Sequence, residues 1–214
     1  MADTREILLS PSFGPFTVRP RAMMRRTDIV AGEDEVLAAL ERGDRHAALR
    51  LLMRDYGTAV YRYCQQMVED DDLADEAHQM TFVQAYEGLL RFGGRSSLRT
   101  WLFGIARHRC LDLLKISRRR QKRFQLMPEL PDQPAPAETA EENLTVRSRT
   151  SALSGCLREL APRVRTAVLL RFQQGVTYEE MSGLEGERAA TLQARVARAL
   201  PVLRRCLERK GAAP

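Results

Sequence analysis

The chain is poor in the residues from which most catalytic and metal sites are built. Only three histidines occur in 214 residues, and His46, His78 and His108 lie far apart in sequence. No nucleotide-binding glycine loop or metal signature accompanies them. No catalytic residue, metal or cofactor is therefore expected, and an enzyme is the remote reading. The four cysteines, Cys64, Cys110, Cys156 and Cys206, stand singly, without a C-x-x-C or Cys/His cluster. Four buried thiols are expected, not a disulfide framework or a metal site. No apolar run approaches the length of a membrane-spanning helix, and the N-terminus lacks the continuous apolar core of a signal peptide. The expectation is a cytoplasmic protein with no direct membrane insertion.

What the chain does have is helical periodicity and positive charge. Hydrophobic residues make up 44% of it, enough to exclude wholesale disorder, and its formal charge of +6 with a pI near 9.5 suggests a polyanionic partner. Residues 1 to 32 hold Pro11, Pro15 and Pro20 among several arginines without helical period, and are expected to form a flexible extension. From Glu33 the apolar positions Val36, Leu37, Leu40, Ala47, Ala48, Leu51 and Leu52 recur at helical spacing, interrupted at Gly43 and Asp44. A further helix is expected from Tyr56 to Val68. Another should run from Leu73 to Leu90, begun by the acidic residues at 69 to 72, since carboxylates favour helix N-termini. Glu76, Gln79, Met80, Val83 and Glu87 share one face of that helix. Such a mixed face is usually solvated, and it can also dock a partner helix.

The stretch from Phe92 to Lys115, FGGRSSLRTWLFGIARHRCLDLLK, organises the first half. Glycines at 93 and 94 stop the preceding segment, and Ser96 or Ser97 can cap a new helix. Leu98, Leu102, Ile105, Ala106 and Leu113 mark a core face. Thr100, Gly104, Arg107, His108, Leu111 and Lys115 mark another, bordered by Trp101. An aromatic ring among cations suits single-stranded nucleic acid, whose phosphates pair with Arg and Lys while its bases stack on rings. On this helix alone, a tryptophan beside an apolar stripe is more often a core residue. A basic run, Arg118, Arg119, Arg120, Lys122 and Arg123, extends the same face and is read as contacting phosphates. Residues 124 to 146 then carry carboxylates, no Lys or Arg, and four prolines (128, 131, 134 and 136), the composition of a linker.

From Arg147 to Lys210, Lys and Arg strongly outnumber Glu, and Asp is absent. Two helices break at Ala161-Pro162. Thr177 is the expected N-cap of a helix beginning Tyr178-Glu179-Glu180-Met181, and Gly186 marks a turn. Leu192, Val196, Ala199, Leu200, Leu203 and Leu207 form the core stripe of the last helix, leaving Thr191, Ala194, Arg198, Val202 and Arg205 outward, with Arg195 beside them. That is a helix-turn-helix whose second helix can lie in a major groove. Pro201 should kink this helix or start a new one. The whole is expected to be all-α, two compact domains at about 33 to 123 and 147 to 210 joined by the acidic segment.

The pattern F-x-G-x-S-S-x-R-T-W-L-x-x-I-A-R over residues 92 to 107, together with the second motif, resembles the sigma-70 family of RNA polymerase sigma factors, specifically the extracytoplasmic-function (ECF) group. The resemblance spans roughly Glu33 to Lys210. It implies that the first domain grips the clamp of core RNA polymerase through Asp75, Glu76, Gln79, Met80, Phe82 and Val83. There the family's D-L-V-Q-E-T-F reads E-A-H-Q-M-T-F, Met80 replacing an acid. It implies that Phe92, Arg95, Ser96, Ser97, Arg99, Thr100, Trp101, Arg107, His108 and Lys115 read the -10 promoter element and hold its melted non-template strand. It implies further that Arg188, Thr191, Gln193, Ala194, Arg195 and Arg198 read the -35 duplex, while the second domain meets the polymerase flap and an anti-sigma factor holds the protein inactive. Ser182, Glu185, Glu187 and Gln193-Ala194 depart from the family pattern, and the two acids near the turn would weaken core packing if buried. The competing reading is a helix-turn-helix regulator acting on duplex DNA without polymerase.

Overall fold

The computed structural model describes residues 26–68, 70–124 and 144–212, with side chains from 33 and, after the gap, from 151. The expected linker at 124 to 146 therefore lies almost wholly outside the described residues. Among these residues the fold is all-α, with no strand: α1 (Arg26–Glu41), α2 (Arg45–Met67), α3 (Asp71–Gly88), a 3-10 turn (Leu89–Arg91), α4 (Leu98–Phe124), α5 (Leu144–Glu159), α6 (Pro162–Val168), a π-helical turn (Leu169–Gln173), α7 (Tyr178–Glu185) and α8 (Ala189–Arg209).

Helix starts follow from their capping residues. Asp44 accepts from the Ala47 N–H at 2.8 Å and Asp70 from Leu73 N–H at 3.0 Å, each satisfying an otherwise unpaired first-turn donor. Asp71 and Asp72 in the first turn of α3 add carboxylates at the positive end of its dipole. Three boundaries differ from expectation. The first helix begins at Arg26, inside the segment expected as an extension. The expected break before Tyr56 is absent, because Leu52, Tyr56, Val60, Tyr63 and Met67 continue one buried stripe of α2 through Gly57. The last helix passes through Pro201 as a single element. Pro201 is exposed, so its ring lies on the outer side while Ala199 and Leu203 hold the helix to the core.

In the first half α2 is central, packed by α1, α3 and α4. Small residues of α3, Ala74, Ala77, Thr81 and Ala85, are buried and permit close approach; the Thr81 hydroxyl donates to the Ala77 carbonyl at 2.6 Å. Leu98, Leu102, Phe103, Ala106 and Cys110 of α4 complete the core, with Phe103 edge-on to Tyr63 at 5.6 Å. Ile105 and Leu113, expected among these, are only half-buried.

The second half does not stand apart from the first: α5 and α6 pack on α2, and α7 packs on α4. Arg165 of α6 is buried at this seam. Its guanidinium donates to the Met67 carbonyl of α2 and to the Arg158 carbonyl, each at 2.6 Å. Pairing a buried cation with carbonyls from both halves offsets its desolvation and fixes their relative position.

Candidate nucleic-acid interface

The turn into α4 is built by Gly94, at φ +65°, and by Ser97, whose Oγ accepts from the Thr100 N–H at 3.0 Å. Trp101 follows on the first turn. It is half-buried, its ring 5.4 Å from that of Phe92. Gly88 makes room for the indole, since a β-carbon there would sit 2.9 Å from the ring. Phe92 and Trp101 thus form one aromatic edge supported from beneath, neither a free platform nor a core residue.

The polar side of α4 is where the structure departs most from expectation. Thr100 is 2% exposed: it receives a hydrogen bond from Ser97 Oγ at 2.9 Å and donates one to Glu180 Oε1 of α7 at 2.9 Å. Gly104 allows close approach to protein instead of nucleic acid, for a β-carbon there would lie 2.7 Å from Leu184 Cδ2. One turn further, Arg107 Nε faces Glu185 Oε1 at 3.3 Å, a charge contact without an aligned hydrogen bond. The predicted DNA face therefore splits. Its first two turns lie under α7, while Arg95, His108, Lys115 and the basic residues from Arg118 to Arg123 are exposed. His108 and Lys115 both pair with Asp112, at 3.2 and 3.1 Å. Arg99 is anchored at its backbone, where its N–H donates to Glu33 Oε1 at 3.1 Å.

Two residues that hold this arrangement escaped the sequence reading. Glu180 closes a capping box with Thr177, accepting from the Thr177 N–H at 2.7 Å while Thr177 Oγ1 accepts from Glu180 N–H at 3.1 Å. Burial alone raises its pKa, but the Thr177 N–H, the Thr100 and Thr177 hydroxyls and nearby Arg99 together hold the carboxyl below its ordinary value. Glu185, noted as a departure, is the other. Its side chain is 1% exposed and bridges Arg107 to Arg195, whose Nη1 donates to Glu185 Oε2 at 3.1 Å and whose Nη2 pairs with Glu187. The expected packing penalty is met by these cations.

On α8, Arg188 precedes the first turn, and Thr191, Gln193, Ala194 and Arg198 are exposed together on one side, opposite buried Leu192, Val196 and Ala199. Arg195 is half-covered and committed to the acids. On α3, Asp75, Glu76, Gln79, Met80 and Val83 share an exposed face. Phe82 does not belong to it. It is 4% exposed and stacked edge-on to His78 at 5.1 Å, a packing residue. The expectation of four free thiols is also corrected: all four cysteines are buried, but Cys156 and Cys206 are joined in a disulfide. No described helix is long and apolar enough to cross a membrane.

Comparison with known proteins agrees with this architecture. Residues 52–123 match sigma-70 region 2, and residues 150–200 match sigma-70 region 4. The ECF RNA polymerase sigma factor SigC of Mycobacterium tuberculosis is 31% identical over 179 residues, covering 81% of this chain and 92% of that protein. SigX of Bacillus subtilis is 27% identical over 165 residues, covering 74% and 83%. Among solved structures, CnrH in complex with the cytosolic domain of CnrY matches with a TM-score of 0.60 at 21% identity over 83% of this chain and 98% of that one. The sigma factor RpoE in complex with the anti-sigma factor NepR from Bartonella quintana matches with a TM-score of 0.59, also at 21%, over 74% and 96%. The two family matches, together with a relative 31% identical over 81% of this chain, make this chain a member of the sigma-70 family, in its ECF group.

Proposed function

We propose that this chain is an alternative sigma factor acting in the cytoplasm, which binds core RNA polymerase, directs it to a -35 and a -10 promoter element and opens the DNA between strands. The observation that carries this reading is the pairing, in one chain, of a duplex-reading helix with a separate aromatic and cationic edge suited to single strands. A regulator confined to duplex DNA has no use for the second.

The steps follow from the side chains. The exposed acidic and apolar face of α3, from Asp75 to Val83, docks on the polymerase clamp, with Gln79 at its centre and Met80 and Val83 burying apolar surface. Thr191, Gln193, Ala194 and Arg198 enter the major groove of the -35 element, where a bidentate Arg contact discriminates a base by about 1–3 kcal/mol. The second domain also meets the polymerase flap. The -10 strand runs along α4, its phosphates on Arg95, Lys115 and the basic stretch beyond, with a base flipped into the loop at 92 to 98 and another stacked on Trp101. Thr100 and Arg107 join only after α7 leaves, so the two halves must part when polymerase binds. An anti-sigma factor of the kind named with the solved relatives would keep the protein from polymerase.

The test is to add the purified chain to core polymerase and map transcript starts on genomic DNA. New starts preceded by a common pair of elements are expected. Sequence-specific DNA binding with no polymerase association and no new starts would favour the duplex-only regulator instead.

A further inference from the structure

The described residues hold two cysteine pairs in contrasting surroundings. Cys64 and Cys110 face each other in the first core, and their mutual hydrogen bond together with burial pushes the Cys64 thiol far up, which leaves it protonated and inert. Cys156 of α5 and Cys206 of α8 are joined across a separation of 50 residues, with α6, α7 and the reading half of α8 inside the loop they close. Their sulfurs are buried, yet charged groups open to solvent surround them. Glu159 Oε1 lies 3.3 Å from Cys206 Sγ, and the same carboxylate pairs with Arg209 Nη2 at 3.1 Å and Lys210 Nζ at 3.8 Å. Gly155 admits that lysine beside Cys156, for a β-carbon at 155 would stand 2.5 Å from Nζ. A carboxylate to take a proton and cations to favour a thiolate are therefore gathered at this pair and not at the other.

We propose that Cys156 and Cys206 form a reversible redox site, oxidised by a peroxide and reduced by a dithiol, that sets the stability of the DNA-reading half. Disulfides in a reducing cytoplasm are characteristically transient and sensing; only this last point rests on the location proposed above. In the oxidation, Cys206 passes its proton to Glu159 and its thiolate attacks one peroxide oxygen. The S–O bond forms, the O–O bond breaks, and the departing hydroxide takes up a proton as water. Cys156 then attacks the sulfenic sulfur, the S–S bond forms, the S–O bond breaks and a second water leaves. Two thiols and one peroxide thus give one disulfide and two waters. A dithiol reverses this by exchange and is itself oxidised to a disulfide. The consequence reaches the reading helix because α8 is continuous from Thr191 to Cys206. The disulfide fixes its far end to α5; without it, packing of Leu203 and Leu207 and the Glu159 ion pairs remain to hold that end.

The experiment uses the full chain, with hydrogen peroxide as oxidant and dithiothreitol as reductant, followed by alkylation with mass mapping and by thermal melting. Peroxide should join Cys156 to Cys206 while Cys64 and Cys110 remain thiols, and dithiothreitol should reverse this. The oxidised chain should melt about 10 °C higher, the shift expected when a disulfide closes a loop of this size in a small domain. C206S should remain folded and melt at the reduced temperature in both conditions. E159Q should slow oxidation several-fold without moving the oxidised melting temperature, a split that a purely structural Glu159 would not produce. Thiols at 156 and 206 that survive peroxide, or equal melting temperatures in the two states, would overturn the proposal. So would stoichiometric zinc(II), added alone, held by the reduced chain through Cys156, Cys206 and Glu159, which would make this a metal site. None of these readouts needs polymerase or DNA, so they stand or fall separately from the transcription reading.

Discussion

At the scale of single residues, the structure divides contacts that the family motif groups together. Gln79 and Phe82 both match the motif of the clamp-binding helix, but only Gln79 is exposed. Gln79→Ala is therefore expected to weaken core-polymerase binding with little change in melting temperature. Phe82→Ala should cost roughly 3–5 kcal/mol of stability through the cavity it leaves against His78. A thermal melt beside a polymerase-binding titration checks both, and equal destabilisation by the two changes would refute the assignment. Trp101 lies between these cases. Half-buried against Phe92 and Gly88, it should lose about 2 kcal/mol of stability as Trp101→Ala, less than a fully buried tryptophan, and lose strand opening as well. A template carrying a pre-melted -10 bubble should restore only the second defect. Periodicity placed the exposed face of α3 correctly, because Glu76, Gln79, Met80 and Val83 recur every three or four positions. It could not place Thr100 or Arg107, since a polar face reads the same whether it meets solvent or another helix.

At the scale of elements, the contact between α7 and α4 depends on Glu180, in a helix whose start the sequence does show. Thr177 reads as an N-cap from sequence alone, and it caps α7, with Glu180 completing the box. That Glu180 reaches onward to Thr100 requires the docking of two segments 80 positions apart, which no local pattern encodes. Thr177→Ala should thus destabilise α7 by about 1 kcal/mol and loosen the seam with it. The Glu180 carboxyl is held below its ordinary value in the folded state, so its contribution is present at neutral pH and above. It is lost as pH falls below the ordinary glutamate range and through the depressed folded value. Amide protection along α7, corrected for the slower intrinsic exchange in acid, should therefore fall as pH drops below the ordinary glutamate range in the natural chain and depend less on pH in Glu180→Gln. Gly104→Ala gives a complementary readout. The substitution favours α4 itself by roughly 0.5–1 kcal/mol while forcing Leu184 away, so exchange should slow in α4 and quicken in α7. Slowing in both would mean that Leu184 accommodates the methyl group.

At the scale of the molecule, one carboxylate joins the two proposed DNA-reading surfaces. Glu185 holds Arg107 of the first and Arg195 of the second, so closing the halves withdraws Arg107 onto a buried charge that Arg195 already shares. The energetics of that bridge set what opening costs. In the closed state the Arg107 guanidinium and the carboxylate are largely removed from water and depend on each other; in the open state Arg107 is hydrated, while Glu185 stays beside Arg195, since α7 and α8 belong to the same half. Glu185→Gln removes the negative charge while keeping the side chain's size. Arg195 keeps Glu187 in both states, but the closed state then retains Arg107 without an acid at this contact, whereas in the open state Arg107 is hydrated. The equilibrium should move toward the open form by roughly 1–3 kcal/mol, about 5- to 150-fold. Small-angle scattering should report a larger radius of gyration, and the variant should bind core polymerase more readily because less work is spent in parting the halves. An unchanged scattering profile together with unchanged polymerase affinity would show that Glu185 only packs the turn of the helix-turn-helix, and that what keeps the halves together is the Arg165 anchor on the Met67 carbonyl.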